Sequence, residues 1–149
     1  RAVIYREATE AEAIEAMAIN VKHGEPPRDF LAYVRDRGSC LLVAKDGNDT
    51  VGFASVTVDA AHETARLDNV FVLPSSRRWG IGSRLLTESV SYARAQRVTR
   101  IITEIDVSNP AIVVYLKAGF RICGYLDLAL FAQPVTQRPV LFLTYDILP

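Results

Sequence analysis

The sequence predicts one α/β domain with a mixed, mostly antiparallel sheet, one parallel pair of strands and helices packed against it. Three apolar runs of strand length, at residues 39–45, 51–60 and 65–73, follow one another with only short turns between them. Such a series indicates an antiparallel meander. A helical pattern then separates the fourth strand from the fifth, which normally makes the two strands parallel. A length of 149 residues fits a single domain over residues 1–149.

The first strand is predicted at residues 2–6, where the side chains alternate in polarity. A helix should follow from Thr9 to about residue 22, because Thr9 and Glu12 have the spacing of a capping box. The sequence Gly-Glu-Pro-Pro at 24–27 ends this helix.

A second short helix near residues 30–34 precedes the meander. Asp46-Gly47, between the second and third strands, is a strong hairpin signal. Asn109-Pro110 is a typical helix start, a capping side chain followed by a proline. The elements predicted after the meander are a helix at 82–97, a strand at 100–106, a helix at 110–117, and strands at 120–126 and 140–147.

The junction between the fourth strand and the long helix, residues 70–86, suits an anion. The first N–H groups of a helix have no partner within it, and the helix dipole favours negative charge there. Glycines at 80 and 82 let the backbone approach phosphate oxygens and allow a positive φ. A dinucleotide fingerprint would need a third glycine where Leu85 stands, and a P-loop would need a lysine. An ordinary strand-to-helix turn is the alternative interpretation.

Two motifs resemble those of the GNAT superfamily of acyl-CoA-dependent N-acyltransferases. The pattern R-x-x-G-x-G that begins at Arg77 is similar to the superfamily's pyrophosphate loop, and residues 110–120 are similar to its tyrosine helix, which ends in Gly-Phe. The resemblance is strongest over residues 66–125. It implies fourth and fifth strands that splay apart around the cofactor, with helices on both faces. One residue fewer than usual precedes the Pro-Ala-Ile of the second motif, which leaves Asn109 as either a cofactor contact or a helix cap.

The resemblance implies that acetyl-CoA, or a related acyl-CoA, is the cosubstrate. Its diphosphate is expected on the N–H groups of residues 78–83, and its pantetheine arm should pair with residues 70–72 like an added strand. A backbone N–H of that strand would polarise the thioester carbonyl. The cofactor-binding residues implied in this way are Val70, Phe71, Val72, Arg77, Arg78, Trp79, Gly80, Ile81, Gly82, Ser83 and Asn109.

Tyr115, inside the second motif, is implied as the acid of the reaction. Transfer to an amine expels the thiolate of CoA, and a tyrosine hydroxyl, with an ordinary pKa of about 10, can supply a proton to it. The alternative is a core aromatic residue packed beside Phe120.

Two carboxylates in apolar strands, Glu104 and Asp68, are candidates for the base that takes the proton of the amine. Acidic residues are disfavoured in strands, so each position requires a reason. The alternative is that each carboxylate faces solvent or forms an ion pair with a nearby arginine. The residues alone leave this choice open.

The resemblance predicts an N-acetyltransferase that moves an acetyl group from acetyl-CoA to a primary amine by direct transfer in a ternary complex. A non-catalytic domain that binds or senses acyl-CoA is the alternative. The acceptor is an amine on a small molecule, a peptide or a protein, and a homodimer is left open. Residues 124–139 are where acceptor selectivity and dimer contacts are expected.

Composition argues against several other classes of protein. Lys and Arg together number 17, as do Asp and Glu, and a net charge of zero argues against binding nucleic acid or a polybasic contact with membranes. Cys40 and Cys123 are predicted to be buried free thiols of a cytoplasmic protein. No Cys/His spacing indicates a metal, and no run reaches the roughly 18 apolar residues of a membrane span. No signal peptide is visible, but the chain begins at Arg1 without a methionine, which leaves a targeting segment upstream open.

Overall fold

The computed structural model of the chain describes residues 2–127 and 139–147. The elements, in chain order, are β1 (Val3–Glu7), α1 (Glu10–Lys22), α2 (Phe30–Arg35), β2 (Ser39–Asp46), β3 (Asp49–Asp59), β4 (Thr64–Val72), a 3-10 turn (Pro74–Ser76), α3 (Ile81–Ala95), β5 (Arg100–Asp106), α4 (Ile112–Lys117), β6 (Arg121–Leu126) and β7 (Val140–Asp146). The strands of these residues form one sheet in the order β1-β2-β3-β4-β5-β7-β6. Residues 128–138, within the stretch expected to influence acceptor selectivity, lie outside the described residues.

The strands β4 and β5 form the parallel pair that the order of elements predicts. Their pairing joins only Thr64 to Arg100, Ala65 to Ile101 and Arg66 to Ile102. Beyond these residues β4 continues alongside β3, while β5 continues alongside β7. A gap therefore opens in the sheet after Arg66, which confirms the splayed pair, and the other neighbouring strands are antiparallel.

Helices cover both faces of the sheet, as predicted, and each face has its own core. On one face, α3 buries a set of residues that repeat with the helical period: Ile81, Leu85, Leu86, Ser89, Val90 and Ala93. Tyr115 of α4 packs against the same core. On the opposite face α1 and α2 cover Phe30, Phe53 and Phe71, whose rings are in contact. Because successive side chains of a strand point to opposite faces, neighbouring residues of β4 face different cores.

The helix after β5 starts later than predicted. Asn109 Oδ1 accepts a hydrogen bond from the N–H of Ala111 (2.9 Å), which closes a turn before the helix. As a result α4 begins at Ile112 rather than at Pro110. The long helix α3 likewise differs at its ends from the predicted 82–97, running from Ile81 to Ala95.

The two cysteines have different environments. Cys40 is buried in β2, as predicted, and burial raises the pKa of its thiol. The prediction of burial is wrong for Cys123, which is exposed on β6, at one edge of the sheet. Both thiols are free.

The start of α1 is held by Glu12, which is nearly buried although it is charged. The predicted capping box is present: Thr9 Oγ1 accepts from the Glu12 N–H (3.2 Å), and Glu12 Oε1 accepts from the Thr9 N–H (3.0 Å). Arg6 donates two hydrogen bonds of 2.7 Å to this carboxylate, and Lys45 Nζ lies 3.3 Å from it. These contacts, above all the hydrogen bonds from Arg6, lower the pKa of Glu12 to about 2.

Replacing Glu12 with Gln should lower the free energy of unfolding by about 3 kcal/mol, because the buried ammonium of Lys45 loses its anion. Urea unfolding measures this loss. The matched control is Glu10→Gln, which should cost less than about 1 kcal/mol because the Glu10–Arg35 pair is exposed.

The effect of Glu12 should also depend on pH in a defined direction. A lowered folded-state pKa contributes stability above the ordinary value of 4.5, and this contribution is lost as the pH falls through about 2. The difference in stability between the wild type and Glu12→Gln should therefore narrow over that range. A difference that stays constant down to pH 2 would contradict this assignment.

Candidate active site

The gap between β4 and β5 holds a cleft of about 810 Å³. Its wall combines the free edge of β4, the turn after β4, the start of α3, the strand β5 and the helix α4. The predicted site residues that line it are Asp68, Val70, Phe71, Val72, Arg77, Arg78, Gly80, Ile81, Gly82, Ser83, Glu104, Asn109 and Tyr115. The structure thus brings the residues of both motifs to one cleft.

The turn between β4 and α3 presents backbone N–H groups at one end of the cleft. Gly80 has a φ of 76° and a ψ of 13°, a left-handed conformation that glycine adopts without strain. The N–H of Arg84 bonds to the carbonyl of Gly80 (3.0 Å), which begins the hydrogen bonding of the helix. The N–H groups of Ile81, Gly82 and Ser83 therefore have no acceptor within α3. Such a group of donors suits a phosphate.

The two glycines of the turn have different roles. Positive φ is found at Gly80, as expected, but not at Gly82; the other such residue of the turn is Arg78, at 73°. Gly82 lies in the first turn of α3, where a Cβ atom would be 3.8 Å from Val72 Cγ2, an ordinary contact. The expectation of positive φ is thus wrong for Gly82, whose missing side chain instead leaves space in the cleft.

Trp79 is the predicted cofactor residue whose side chain lies elsewhere. It lines a second cavity, of about 480 Å³, together with Ile19 of α1 and Leu73. Its backbone remains within the turn, between Arg78 and Gly80. The indole ring of Trp79 therefore lies outside the larger cleft.

The edge of β4 along the gap offers hydrogen-bonding groups at alternate residues. The N–H of Leu73 bonds to the carbonyl of Val51 in β3 (2.9 Å), and the main-chain groups of successive residues point to opposite sides of a strand. Val70 and Val72 consequently direct their groups into the gap, whereas those of Phe71 face β3. The carbonyl of Val72 accepts a bond of 3.2 Å from Arg77 Nε.

Tyr115 both packs in the core and lines the cleft. Its ring makes an edge contact with Phe120, with centroids 5.5 Å apart. Burial raises the pKa of its hydroxyl to about 12. The two interpretations of Tyr115 are therefore compatible, and the hydroxyl is protonated at neutral pH.

The two candidate bases share an arginine that the sequence did not single out. Arg66 lies at the point where β4 and β5 separate, and it contacts Asp68 (Nε to Oδ1, 3.4 Å) and Glu104. Asp68 also accepts hydrogen bonds from Tyr33 Oη (2.8 Å) and Thr57 Oγ1 (2.6 Å). The sequence offered no reliable signal for this network, because Asp68 is the additional residue of a bulge in β4, where the alternation of side chains is interrupted.

The carboxylates and the tyrosine approach the gap from opposite faces of the sheet. Tyr115 packs with the core beneath α3. Asp68 bonds to Tyr33 of α2, which packs with the core on the other face. The cleft therefore passes through the sheet, with a possible acid on one side and possible bases on the other.

Within residues 2–127 and 139–147, no group of three or more His, Cys, Asp or Glu side chains is arranged to hold a metal ion. No helix of the same residues is both long enough and apolar enough to cross a membrane.

The family model of the acetyltransferase (GNAT) family matches residues 5–120, from within β1 to the residue before β6. The chain belongs to the GNAT family of acetyltransferases. The match includes both motifs and the whole of the splayed pair β4 and β5. Tyr115 and the turn before α3 are thus within the family region.

Individual GNAT proteins resemble the chain to different extents. Streptothricin acetyltransferase of Streptomyces lavendulae is 34% identical over 103 residues, which are 68% of this chain and 53% of that protein. N-acetyltransferase 8 of Homo sapiens is 27% identical over 117 residues, 75% of this chain and 52% of that protein. The crystal structure of ribosomal-protein-alanine N-acetyltransferase from Brucella melitensis superposes with a TM-score of 0.79 at 26% identity, covering 97% of this chain and 99% of that one. The chain thus spans about half the length of the two relatives matched by sequence.

Proposed function

We propose that the chain is an N-acetyltransferase that transfers the acetyl group of acetyl-CoA directly to a primary amine. The observation that carries the proposal is one cleft through the sheet. This cleft is lined by the turn between β4 and α3, the free edge of β4, Tyr115 and two carboxylates. Membership of the GNAT family supports the same activity.

The cleft has suitable groups for each part of acetyl-CoA. The diphosphate would accept hydrogen bonds from the N–H groups of Ile81, Gly82 and Ser83. The pantetheine amides would pair with the main-chain groups of Val70 and Val72 that face the gap. A backbone N–H on this edge would then stabilise the oxyanion formed from the thioester carbonyl.

The chemistry requires a neutral amine, which attacks the thioester carbon on the side of the sheet that holds the carboxylates. When the tetrahedral intermediate collapses, the carbon–sulfur bond breaks and the hydroxyl of Tyr115 donates to the sulfur. A pKa of about 12 makes this hydroxyl a weaker acid than an ordinary tyrosine. Tyr115 therefore acts chiefly as a hydrogen-bond donor to the thiolate, and the proton released by the amine balances the formation of the CoA thiol.

Direct transfer is supported by the positions of the thiols. Neither Cys40 nor Cys123 lines the cleft. Burial raises the pKa of Cys40 and so disfavours the thiolate that an acyl-enzyme would require. A ternary complex of the protein, acetyl-CoA and the amine is the simpler route.

One observation favours the alternative of a non-catalytic acyl-CoA-binding domain. Both candidate bases form ion pairs with Arg66, and such pairs are also what a purely structural role of the two carboxylates would predict. A screen of amines for release of free CoA separates the two functions. It should include streptothricin, a polyamine and a peptide with an N-terminal alanine. Turnover with one of these amines is expected; binding of CoA without turnover of any amine would support the sensor.

A further inference from the structure

Arg66 is the residue at which the sheet divides. It is the last residue of β4 that pairs with β5, opposite Ile102. Its guanidinium contacts Asp68 of its own strand and Glu104 of β5. One side chain thus connects the two strands on the carboxylate side of the gap.

Asp68 accepts two hydrogen bonds, forms an ion pair with Arg66 and is poorly exposed. Tyr33 and Thr57 donate to Oδ2, Arg66 lies against Oδ1, and the side chain is 10% exposed. Tyr33 is in turn bonded by Arg28 Nη1 (3.3 Å), from the connection between α1 and α2. These contacts occupy both oxygens of the carboxylate, so an incoming amine would have to displace one of them to reach Asp68. Asp68 is therefore suited to anchor Arg66.

Glu104 has the opposite properties. It lines the same cleft, and its side chain is 41% exposed. Its hydrogen bond comes from Arg66, which also forms an ion pair with Asp68. Both carboxylates line the cleft, but Glu104 is the more exposed of the two and therefore the more accessible to an incoming amine.

We propose that Arg66 is a positioning residue, anchored by Asp68, that holds Glu104 where it receives the ammonium group of the acceptor. The proposal rests on the proposed acetyltransferase activity. A proton leaves the ammonium nitrogen for an oxygen of Glu104 and then passes to water, so the amine becomes the nucleophile. Asp68, a candidate base by sequence, acts through Arg66 rather than on the substrate.

The first test replaces Arg66 with Met and measures steady-state kinetics with an amine that the wild type accepts. The value of kcat/KM for the amine should fall by about tenfold or more, whereas the affinity for acetyl-CoA should not change. Arg66→Lys should recover part of the loss. The matched control is Arg121→Met. Arg121 is 56% exposed and paired with Asp146, much as Arg66 is 55% exposed and paired, but the carboxylate that pairs with Arg121 does not line the cleft.

A double-mutant cycle separates positioning from a general structural role. If Arg66 acts through Glu104, then Arg66→Met should cost less than about twofold once Glu104 is already Gln. Losses that multiply in the double variant would overturn the proposal. So would wild-type kcat/KM in Glu104→Gln, a result that leaves the acetyltransferase activity itself intact.

Calorimetry of the amine binding to the complex with CoA provides a readout that needs no turnover. Arg66→Met and Glu104→Gln should each weaken this binding, and Arg121→Met should not. Unchanged amine affinity in Arg66→Met would overturn the proposal even if no turnover were observed. The absence of turnover in the wild type, with amine binding still dependent on Arg66, would instead contradict the proposed activity alone.

Discussion

Replacing Tyr115 with Phe should lower kcat by roughly 100-fold or more, because the departing thiolate loses its donor. The ring contact with Phe120 remains in the variant, so the fold and the affinity for acetyl-CoA should be preserved. Steady-state assays of CoA release measure the loss of kcat, and calorimetry of CoA binding shows whether the affinity for the cofactor is preserved.

Tyr145→Phe is the matched control for this variant. Tyr145 also makes an edge contact with Phe120, at 5.6 Å between centroids, but it does not line the cleft. The Tyr145→Phe variant should therefore keep the turnover of the wild type although it lacks a hydroxyl. A kcat within twofold of the wild type in Tyr115→Phe would remove Tyr115 from the mechanism.

Because the pKa of Tyr115 is about 12, turnover should also show no decline from tyrosine ionisation up to about pH 10.

Replacing Gly82 with Asp should weaken the binding of CoA by about 100-fold or more, because a carboxylate would meet the diphosphate at close range. The same substitution should not destabilise the fold. Gly82 is in the first turn of α3, does not need a positive φ, and has room for a Cβ atom. Acidic side chains are moreover favourable at a helix N-terminus.

The test is specific because Gly82→Asp should weaken the binding of CoA without lowering the stability of the fold. Thermal unfolding should show an unchanged or higher Tm for Gly82→Asp, while calorimetry shows the loss of CoA affinity. Gly82→Ala is the control for added volume without charge, and its loss of affinity should be clearly smaller. Equal affinities for CoA in the wild type and Gly82→Asp would show that the diphosphate binds somewhere else.

The layout of the sheet could be predicted from the sequence because it depends on the order and spacing of elements. Short turns between the strands from Ser39 to Val72 require antiparallel neighbours, and the helix α3 requires a parallel crossover. The left-handed conformation of Gly80 could be predicted because glycine adopts positive φ without strain.

The network around Arg66 could not be predicted in the same way. The register of β3 and β4 shifts between Ser55 and Val56, so that Asn69 and Leu67 are paired while Asp68 is the additional residue. A bulge of this kind changes the direction of side chains and is not visible in a pattern of alternation.

The structure of the complex with acetyl-CoA tests the central claim most directly. We expect diphosphate oxygens about 3 Å from the N–H nitrogens of Ile81, Gly82 and Ser83, with the thioester sulfur within about 4 Å of Tyr115 Oη. A diphosphate bound away from this turn, or a sulfur that does not reach Tyr115, would contradict it.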